Sequence, residues 1–234
     1  MKGRLFLILL VACGTVTIFS LSVRGEEKKC GKVVPIDQGI QDSSFLKFRQ
    51  DLMIACKKKN VQFILDHLHP KARGGFGSAE DAKEFLQVWK PKSRDSEFWS
   101  TLRSVLQLGG RFVQDEKGFN VFVAPYVATD WPDSDSCDPF EGYVAVMEEG
   151  VQVRTKPSDV SPVVERLSYD VIQVIQERQK LKTVKGNSTW IHVLLSSGRE
   201  GFVRRSQVRS PIDYRAGFEK INGKWLIAWL LAGD

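Results

Sequence analysis

Short β-strands are predicted through most of residues 151–208. Val151 and Val153 alternate with polar neighbours, which is the period of a half-buried strand. An apolar run at 171–175 is rich in β-branched residues, which favour strands. Residues 190–203 contain two further strands separated by a Ser-Ser-Gly turn. Several short strands with no helical period between them predict a small, closed all-β barrel.

The segment before the barrel has the apolar spacing of four helices followed by two strands. The first helix is predicted from Ser43 or Ser44 to Asn60, and the second from Val61 to Pro70. The third begins at Ser78, which forms a capping box with Asp81, and ends at Pro91. The fourth runs from Ser96 to Gly109-Gly110. Strands at Arg111–Gln114 and Phe119–Val127 follow. This order of elements predicts an α+β domain.

The C-terminal segment carries a strong hairpin signal. Tyr214–Ile221 and Lys224–Leu231 are joined by Asn222-Gly223, a favoured two-residue turn. The last strand is apolar on both faces, and both must therefore be covered. Because a closed barrel has no place for such a strand, we expect the hairpin to return to the sheet of the first segment. The barrel is then an insertion whose two ends lie close together.

The predicted fold class is α+β. A domain of helices and antiparallel sheet is interrupted by a small all-β barrel and follows an N-terminal signal segment. The predicted parts are a signal peptide at 1–25, an extended tail at 26–43, the first part of the α+β domain at 44–145, the barrel at 146–209, and a C-terminal hairpin completing the α+β domain at 210–234.

The N-terminal residues have the layout of a secretory signal. A short basic start precedes the apolar stretch Leu5–Val23, and charged residues follow from Arg24. Cleavage after Gly25 is favoured, because small residues precede the cut. Two alternatives stay open: lipidation at Cys13, which ends a sequence like a bacterial lipoprotein box, and retention of the stretch as a membrane anchor. Each places the remaining chain in the periplasm or cell envelope, with membrane contact only through this segment.

The charge balance argues against a nucleic-acid partner. The chain has 234 residues, 42% of them hydrophobic, and a formal net charge of +6. Lys2, Arg4 and Arg24 belong to the leader, which leaves +3 for the rest. This excess is spread along the chain, whereas a nucleic-acid site needs clustered Lys and Arg. The glycines at 74–77 are not followed by G-K-[ST], and no cofactor is predicted.

Three cysteines follow the leader. Cys56 falls on the apolar face of the first helix and is predicted to be a buried free thiol. Cys30 and Cys137 lie in polar, turn-like surroundings, and our hypothesis is that they form a disulfide between the tail and the loop before the barrel. His67 and His69 would point apart on a helix, and no metal site is predicted.

One pattern in the barrel segment is specific. It reads V-x-V-R-x-x-P-S-x-x-S-P-V, then W-x-x-V, then G-x-x-G-[WF]-V, and is carried by Val151, Val153, Arg154, Pro157, Ser158, Ser161, Pro162, Val163, Trp190, Val193, Gly198, Gly201, Phe202 and Val203. This pattern resembles the bacterial SH3 (SH3b) domain family, with Phe202 where the family usually has Trp. The resemblance implies an SH3-like barrel with a ligand in the cell envelope.

The elements outside the barrel support a second resemblance. Their order, with a final sheet that contains Gly223-Lys224-Trp225, resembles an NTF2-like α+β cone. Through segments such as F-V-A-P-Y-V and R-S-P-I-D-Y-R-A, the whole chain resembles a group of exported bacterial proteins that contain SH3 domains. That resemblance implies an architecture and no activity.

Aromatic and basic residues of the barrel are the candidate ligand-binding set. They are Tyr169, Trp190, Phe202, Arg154 and Arg204. Aromatic rings with a charged rim suit a peptide, such as the stem peptide of peptidoglycan, or an envelope protein partner. For Trp190 and Phe202 the favoured interpretation is nevertheless that they fill the barrel core.

Enzymatic alternatives rest on fewer residues. A cell-wall thiol hydrolase would use Cys137 and His192, but the acids beside Cys137 disfavour a thiolate. Another small-ligand enzyme housed in the cone and a purely structural role are further alternatives. At the junction of the two units, Asp213, Tyr214 and Arg215 suggest a hinge ion pair or a ligand site, and the hinge is favoured. We therefore expect a non-catalytic binding protein.

Overall fold

A computed structural model describes residues 30–78, 80–114, 118, 120–132, 137–175 and 189–233. The predicted signal segment, with Cys13, lies outside these residues. Within the described part of the chain, no helix is both long enough and apolar enough to cross a membrane.

The fold is α+β, with four α-helices and two β-sheets among the described residues. The helices are α1 Ser43–Lys58, α2 Val61–Asp66, α3 Ala82–Trp89 and α4 Phe98–Leu106. The strands are β1 Leu68–Arg73, β2 Arg111–Gln114, β3 Asn120–Ala124, β4 Tyr143–Val146, β5 Val151–Arg154, β6 Val163–Leu167, β7 Val171–Val174, β8 Trp190–Leu194, β9 Glu200–Arg204, β10 Val208–Arg209, β11 Arg215–Ile221 and β12 Lys224–Leu231.

The first sheet has the strand order β1-β12-β11-β3-β2. β1 runs parallel to β12, and the other neighbours are antiparallel. Phe45 of α1 is fully buried against this sheet, with its ring centroid 4.1 Å from that of Phe122 and 4.9 Å from that of Trp225. The C-terminal hairpin thus lies inside the sheet of the first segment, where both faces of β12 are largely buried.

The second helix is shorter than its apolar pattern predicts. It ends at Asp66, and β1 begins at Leu68, so the prediction of a helix up to Pro70 is wrong. The carbonyl of His67 instead accepts a hydrogen bond from the backbone N–H of Ile227 at 2.7 Å. Because β1 is an edge strand, Pro70 is tolerated there without the loss of a central ladder hydrogen bond.

The second sheet is antiparallel, with the order β10-β4-β7-β8-β9-β5-β6. Its end strands β10 and β6 do not pair with each other, so the prediction of a closed barrel is wrong. In this sheet Arg199, in the β8–β9 turn, donates a hydrogen bond at 2.9 Å to the carbonyl of Val164 in β6, beyond the intervening strand β5. The sheet encloses a core of buried residues: Val144, Val146, Val151, Val153, Leu167, Ile172, Val174, Ile191, Val193, Leu195 and Val203.

The second sheet is inserted between two neighbouring strands of the first. β4 and β10 pair antiparallel, with Val146 opposite Val208, so the chain enters and leaves the second sheet side by side. β11 then pairs with β3, with Ala216 opposite Ala124. β4 belongs to the second sheet, although most of it lies before the predicted barrel boundary at 146.

Residues 30–41, which we name the N-terminal strap, contact both units. The backbone N–H of Val33 donates to the carbonyl of Tyr169 at 2.9 Å, beside the second sheet. The carboxylate of Asp37 accepts two hydrogen bonds from the guanidinium of Arg49 in α1, at 2.7 and 2.8 Å. The predicted extended tail is therefore a packed connection between the two units.

A small apolar core joins the strap to the segment after β3 and to the second sheet. Its buried residues are Cys30, Val33, Tyr126, Val127, Cys137, Tyr143, Ala145 and Val171. Within it a disulfide joins Cys30 to Cys137, which are 107 residues apart in the sequence, with Cα atoms 5.7 Å apart. This is the pairing hypothesised from the sequence. Cys56 is a buried free thiol, which confirms the prediction for that residue.

We expect Gly217→Ala to destabilise the first sheet by about 1–3 kcal/mol, because small-to-large changes in packed cores force side chains apart. Gly217 lies opposite Trp229, and a Cβ atom would overlap the indole ring. Urea unfolding measures the change. Gly75→Ala is the matched control, since no atom lies within 4 Å of the position that its Cβ atom would take. Equal stability of the two variants would contradict this packing.

Replacement of both disulfide cysteines by serine should lower the free energy of unfolding by about 2–5 kcal/mol, the usual cost of losing a native disulfide. Urea unfolding with and without reductant measures it, and reductant should leave the double variant unchanged. The unfolded, unreduced chain without its leader should show one reactive thiol, that of Cys56. Three reactive thiols would contradict the assigned disulfide.

Candidate binding face

Outward-pointing residues of β8, β9 and β5 form the candidate site. Alternate residues of β8 and β9, such as Ile191 and Val203, are buried in the core of the second sheet. The residues between them point the other way. We name as the outer face Trp190, His192, Phe202, Arg204 and Arg154. Trp190 and Phe202 are thus half-buried on this face and not in the core, so the interpretation favoured from the sequence is wrong for both.

Strand register brings these side chains together in rows. Trp190 lies opposite Arg204, and His192 lies opposite Phe202. Arg154 lies on the other side of Phe202. Directly opposed residues share a face and contact one another. Four of the five residues predicted from the sequence are therefore adjacent, and His192 joins them.

Arg204 is held between a ring and a carboxylate. Its guanidinium carbon lies 4.9 Å from the centroid of the Trp190 ring, which is a cation–π geometry. Its Nε donates to Oδ1 of Asp159 at 3.2 Å, and its second nitrogen donates to Oδ2. The planar guanidinium thus binds a carboxylate through two parallel hydrogen bonds while it stacks on an aromatic ring.

His192 and Phe202 form a flat pair beside this group. Their rings are nearly parallel, at an angle of 10°, with centroids 4.6 Å apart. Nε2 of His192 lies 3.1 Å from a carboxylate oxygen of Glu200, which fixes the imidazole on the face. The resulting surface is apolar in its middle and carries charges at its edges.

Arg154 supports the loop that carries Asp159. One guanidinium nitrogen donates to the carbonyl of Ser161 at 2.5 Å, and the other donates to Gln152. The buried hydroxyl of Ser161 lies 2.9 Å from the carbonyls of Lys156 and Ser158. Arg154 therefore positions the base of the loop 155–162.

Tyr169 does not belong to the outer face. It lies in the turn before β7 with a left-handed φ of 64°, and its carbonyl binds the strap. Gln173 pairs with Leu194, so Tyr169 lies beyond the end of β8 that is opposite to Trp190. Burial, and then the nearby Tyr169 hydroxyl, raise the pKa of Tyr126 to about 12. Tyr169 is thus part of the junction with the strap.

The residues of the thiol hydrolase alternative are not assembled. Cys137 is fully buried and bonded to Cys30, so it has no thiol to ionise. His192 stacks on Phe202 on the outer face. This geometry does not support a Cys–His nucleophile.

The junction holds a partly buried cation, Arg209, that sequence reasoning missed. Arg209 of β10 donates to the carbonyl of Tyr214, and burial lowers its pKa while Asp213 opposes that change. Asp213 accepts a hydrogen bond from the N–H of Ser210 at 3.0 Å, and Arg215 donates to the carbonyl of Gly233 at 2.9 Å. Arg209 thus joins the predicted junction residues Asp213, Tyr214 and Arg215, and the hinge itself stays a prediction.

A groove of about 480 Å³ lies in the first unit. Its walls include Gly74, Gly75, Val88, Trp89, Lys90, Ser93, Asp95, Ser96, Glu97, Tyr214 and Ala232. The indole N–H of Trp89 donates to the carbonyl of Leu230 at 3.0 Å, so this ring is tied to the core. The groove is separate in the fold from the outer face, which lies on the second sheet.

The histidines near α2 have structural contacts. The His67 ring stacks on Phe63 with centroids 4.1 Å apart, and Nδ1 of His69 accepts the N–H of Lys71 at 2.9 Å. His69 lies in β1 and not on a helix, contrary to the prediction. Among the described residues, no group of three or more His, Cys, Asp or Glu side chains could hold a metal ion.

Comparisons of the chain with models of protein families, with characterised proteins and with solved structures find no match.

The free thiol should make stability depend on pH. Burial raises the pKa of Cys56 from an ordinary value of 9.0 to about 12, so the thiol stays neutral in the folded state after it ionises in the unfolded state. The stability that the neutral Cys56 thiol contributes to the folded state is fully present below pH 9 and is lost as the pH rises toward 12. At about pH 10.5 the loss should be about 2 kcal/mol.

Urea unfolding at about pH 8 and about pH 10.5, with Cys56→Ala alongside, measures this contribution. Other ionising groups affect both proteins equally, so the variant should lose less stability between the two pH values. If both proteins lose the same stability, the Cys56 thiol ionises as readily in the folded chain as in the unfolded chain, and the prediction is wrong.

Proposed function

We propose that this chain is an exported, non-catalytic binding protein of the cell envelope. In this proposal the second sheet is an SH3b-type module, and its outer face binds the stem peptide of peptidoglycan or an envelope protein. The first unit, with the NTF2-like order of elements, carries this module. We further propose the periplasm or cell envelope as its location, reached through the N-terminal segment.

One observation carries the proposal. Trp190 and Phe202, which could have filled a core, lie half-exposed on one face with Arg204 and His192 against them. Aromatic and Arg side chains supply most of the binding energy in protein and peptide recognition. A row of rings with a guanidinium at one end matches an extended peptide that carries apolar side chains and a carboxylate.

The disulfide supports the location. A disulfide between Cys30 and Cys137 is consistent with an oxidising compartment outside the cytoplasm. It joins cysteines that are 107 residues apart and ties the start of the described chain to the segment before β4. Such a covalent cross-link suits a domain that must keep its binding face in place outside the cell.

A sedimentation assay with insoluble peptidoglycan tests this function. The chain from Glu26 to Asp234 is mixed with purified sacculi, and the bound fraction is measured in the pellet. We expect Trp190→Ala and Phe202→Ala each to lower affinity at least about tenfold, because interface aromatic residues often cost about 2 kcal/mol or more when truncated.

Phe140→Ala is the matched control, since this ring is 45% exposed in the turn before β4 and is not on the outer face. It should bind like the unchanged chain, and circular dichroism checks that each variant is folded. If the unchanged chain does not sediment with sacculi, the peptidoglycan ligand is wrong. Release of soluble muropeptides would contradict the non-catalytic assignment.

A further inference from the structure

The contact between Arg204 and Asp159 has the form of ligand recognition within one chain. The guanidinium faces both carboxylate oxygens of Asp159 and stacks on Trp190. Asp159 belongs to the loop 155–162, far in sequence from Arg204. The side chains of Arg204 and Asp159 are 39% and 61% exposed, so solvent and ligands reach the pair.

This ion pair lies in solvent, with the side chain of Arg204 39% exposed and that of Asp159 61% exposed. Exposed pairs of this kind contribute little to stability, because water screens the charges and both side chains lose freedom. The Trp190 ring also contacts the guanidinium, whose carbon lies 4.9 Å from the ring centroid, and this contact does not depend on Asp159. An incoming carboxylate can therefore replace Asp159 without disturbing the arrangement of Arg204.

The loop is built so that only its tip needs to move. Arg154 and the buried Ser161 hydroxyl hold its base through the contacts described above. The next residue after Asp159, Val160, is 94% exposed and makes the tip of the loop. Asp159 can swing away while the base of the loop and the strands remain in place.

We propose that Asp159 occupies the position of a ligand carboxylate on Arg204, and that a peptide with a free carboxylate beside a small apolar group displaces it. The choice of a peptide ligand rests on the proposed function. Arg204 and Trp190 form the subsite, and Asp159 competes with the ligand and lowers its apparent affinity. The site thus discriminates a free carboxylate from an amide. A carboxylate is charged and accepts two hydrogen bonds from the guanidinium, whereas an amide is neutral and has only one acceptor oxygen.

The test uses N-acetyl-D-alanine, with its primary amide as the uncharged counterpart. Binding is followed by NMR through the Arg204 Nε–H and Trp190 indole N–H signals. We expect the acid, and not the amide, to shift both signals. Asp159→Asn should strengthen binding of the acid roughly two- to fivefold, which is the range for loss of an exposed competing ion pair.

Glu165→Gln is the matched control. Glu165 forms a similar exposed ion pair with Arg199 in the same sheet, away from the subsite. This variant removes one negative charge but no group that competes for Arg204, so it should leave the affinity for N-acetyl-D-alanine unchanged. Arg204→Lys keeps the charge but loses the planar fork, and should weaken binding of the acid at least about fivefold relative to the unchanged chain.

The outcomes separate this inference from the proposed function. Equal shifts with acid and amide, no gain in Asp159→Asn, or an equal gain in Glu165→Gln would each overturn the role of Asp159. If the acid binds as expected but sacculi do not sediment with the chain, the carboxylate subsite stands and the peptidoglycan ligand fails. If sacculi bind and the acid does not shift Arg204, the subsite alone fails.

Discussion

The pairing of β3 with β11 is the constraint on which the rest of the structure depends. These neighbours in the first sheet are separated in the chain by the whole second sheet. They can meet only if the second sheet begins and ends at nearly the same place. The adjacent strands β4 and β10 satisfy this condition, and the partly buried Arg209 lies where the chain passes back to the first sheet.

The strap and the disulfide then fix how the inserted sheet sits on the first unit. The strap binds α1 through Asp37 and the second sheet through Val33, while the small core around the disulfide fills the space between. The strap side of the second sheet is thereby covered. The outer face, on β8, β9 and β5, lies away from the strap, with Trp190 and Phe202 half-buried on it.

Much of this arrangement follows from the sequence, because its signals are local. The Asn222-Gly223 turn and the two-faced apolar strand 224–231 predict that the hairpin enters the first sheet. Three features could not be predicted: the boundary between α2 and β1, the open edge of the second sheet, and the outward side of Trp190. Leu68 continues the apolar spacing of a helix but fits an edge strand equally well. Only its pairing with β12 determines that it lies in a strand.

The position of Trp190 shows why the sequence alone could not predict which residues of the candidate site face outward. Strand alternation places Trp190 and His192 on one face and Ile191 and Val193 on the other, but both faces carry apolar residues. Which face is inside depends on how the strands of the whole sheet pack around the core. Tyr169 lies apart from the outer face because of its backbone turn and its contact with the strap, which are tertiary features that no local pattern predicts.

The most direct test of the outer face as a binding surface is NMR of the tryptophan indole N–H signals during titration with soluble muropeptides. Our account predicts a saturable shift of the Trp190 signal, with the signals of the buried Trp99 and Trp225 unchanged. Shifts confined to Trp89, in the wall of the groove, would contradict it and place binding in the first unit.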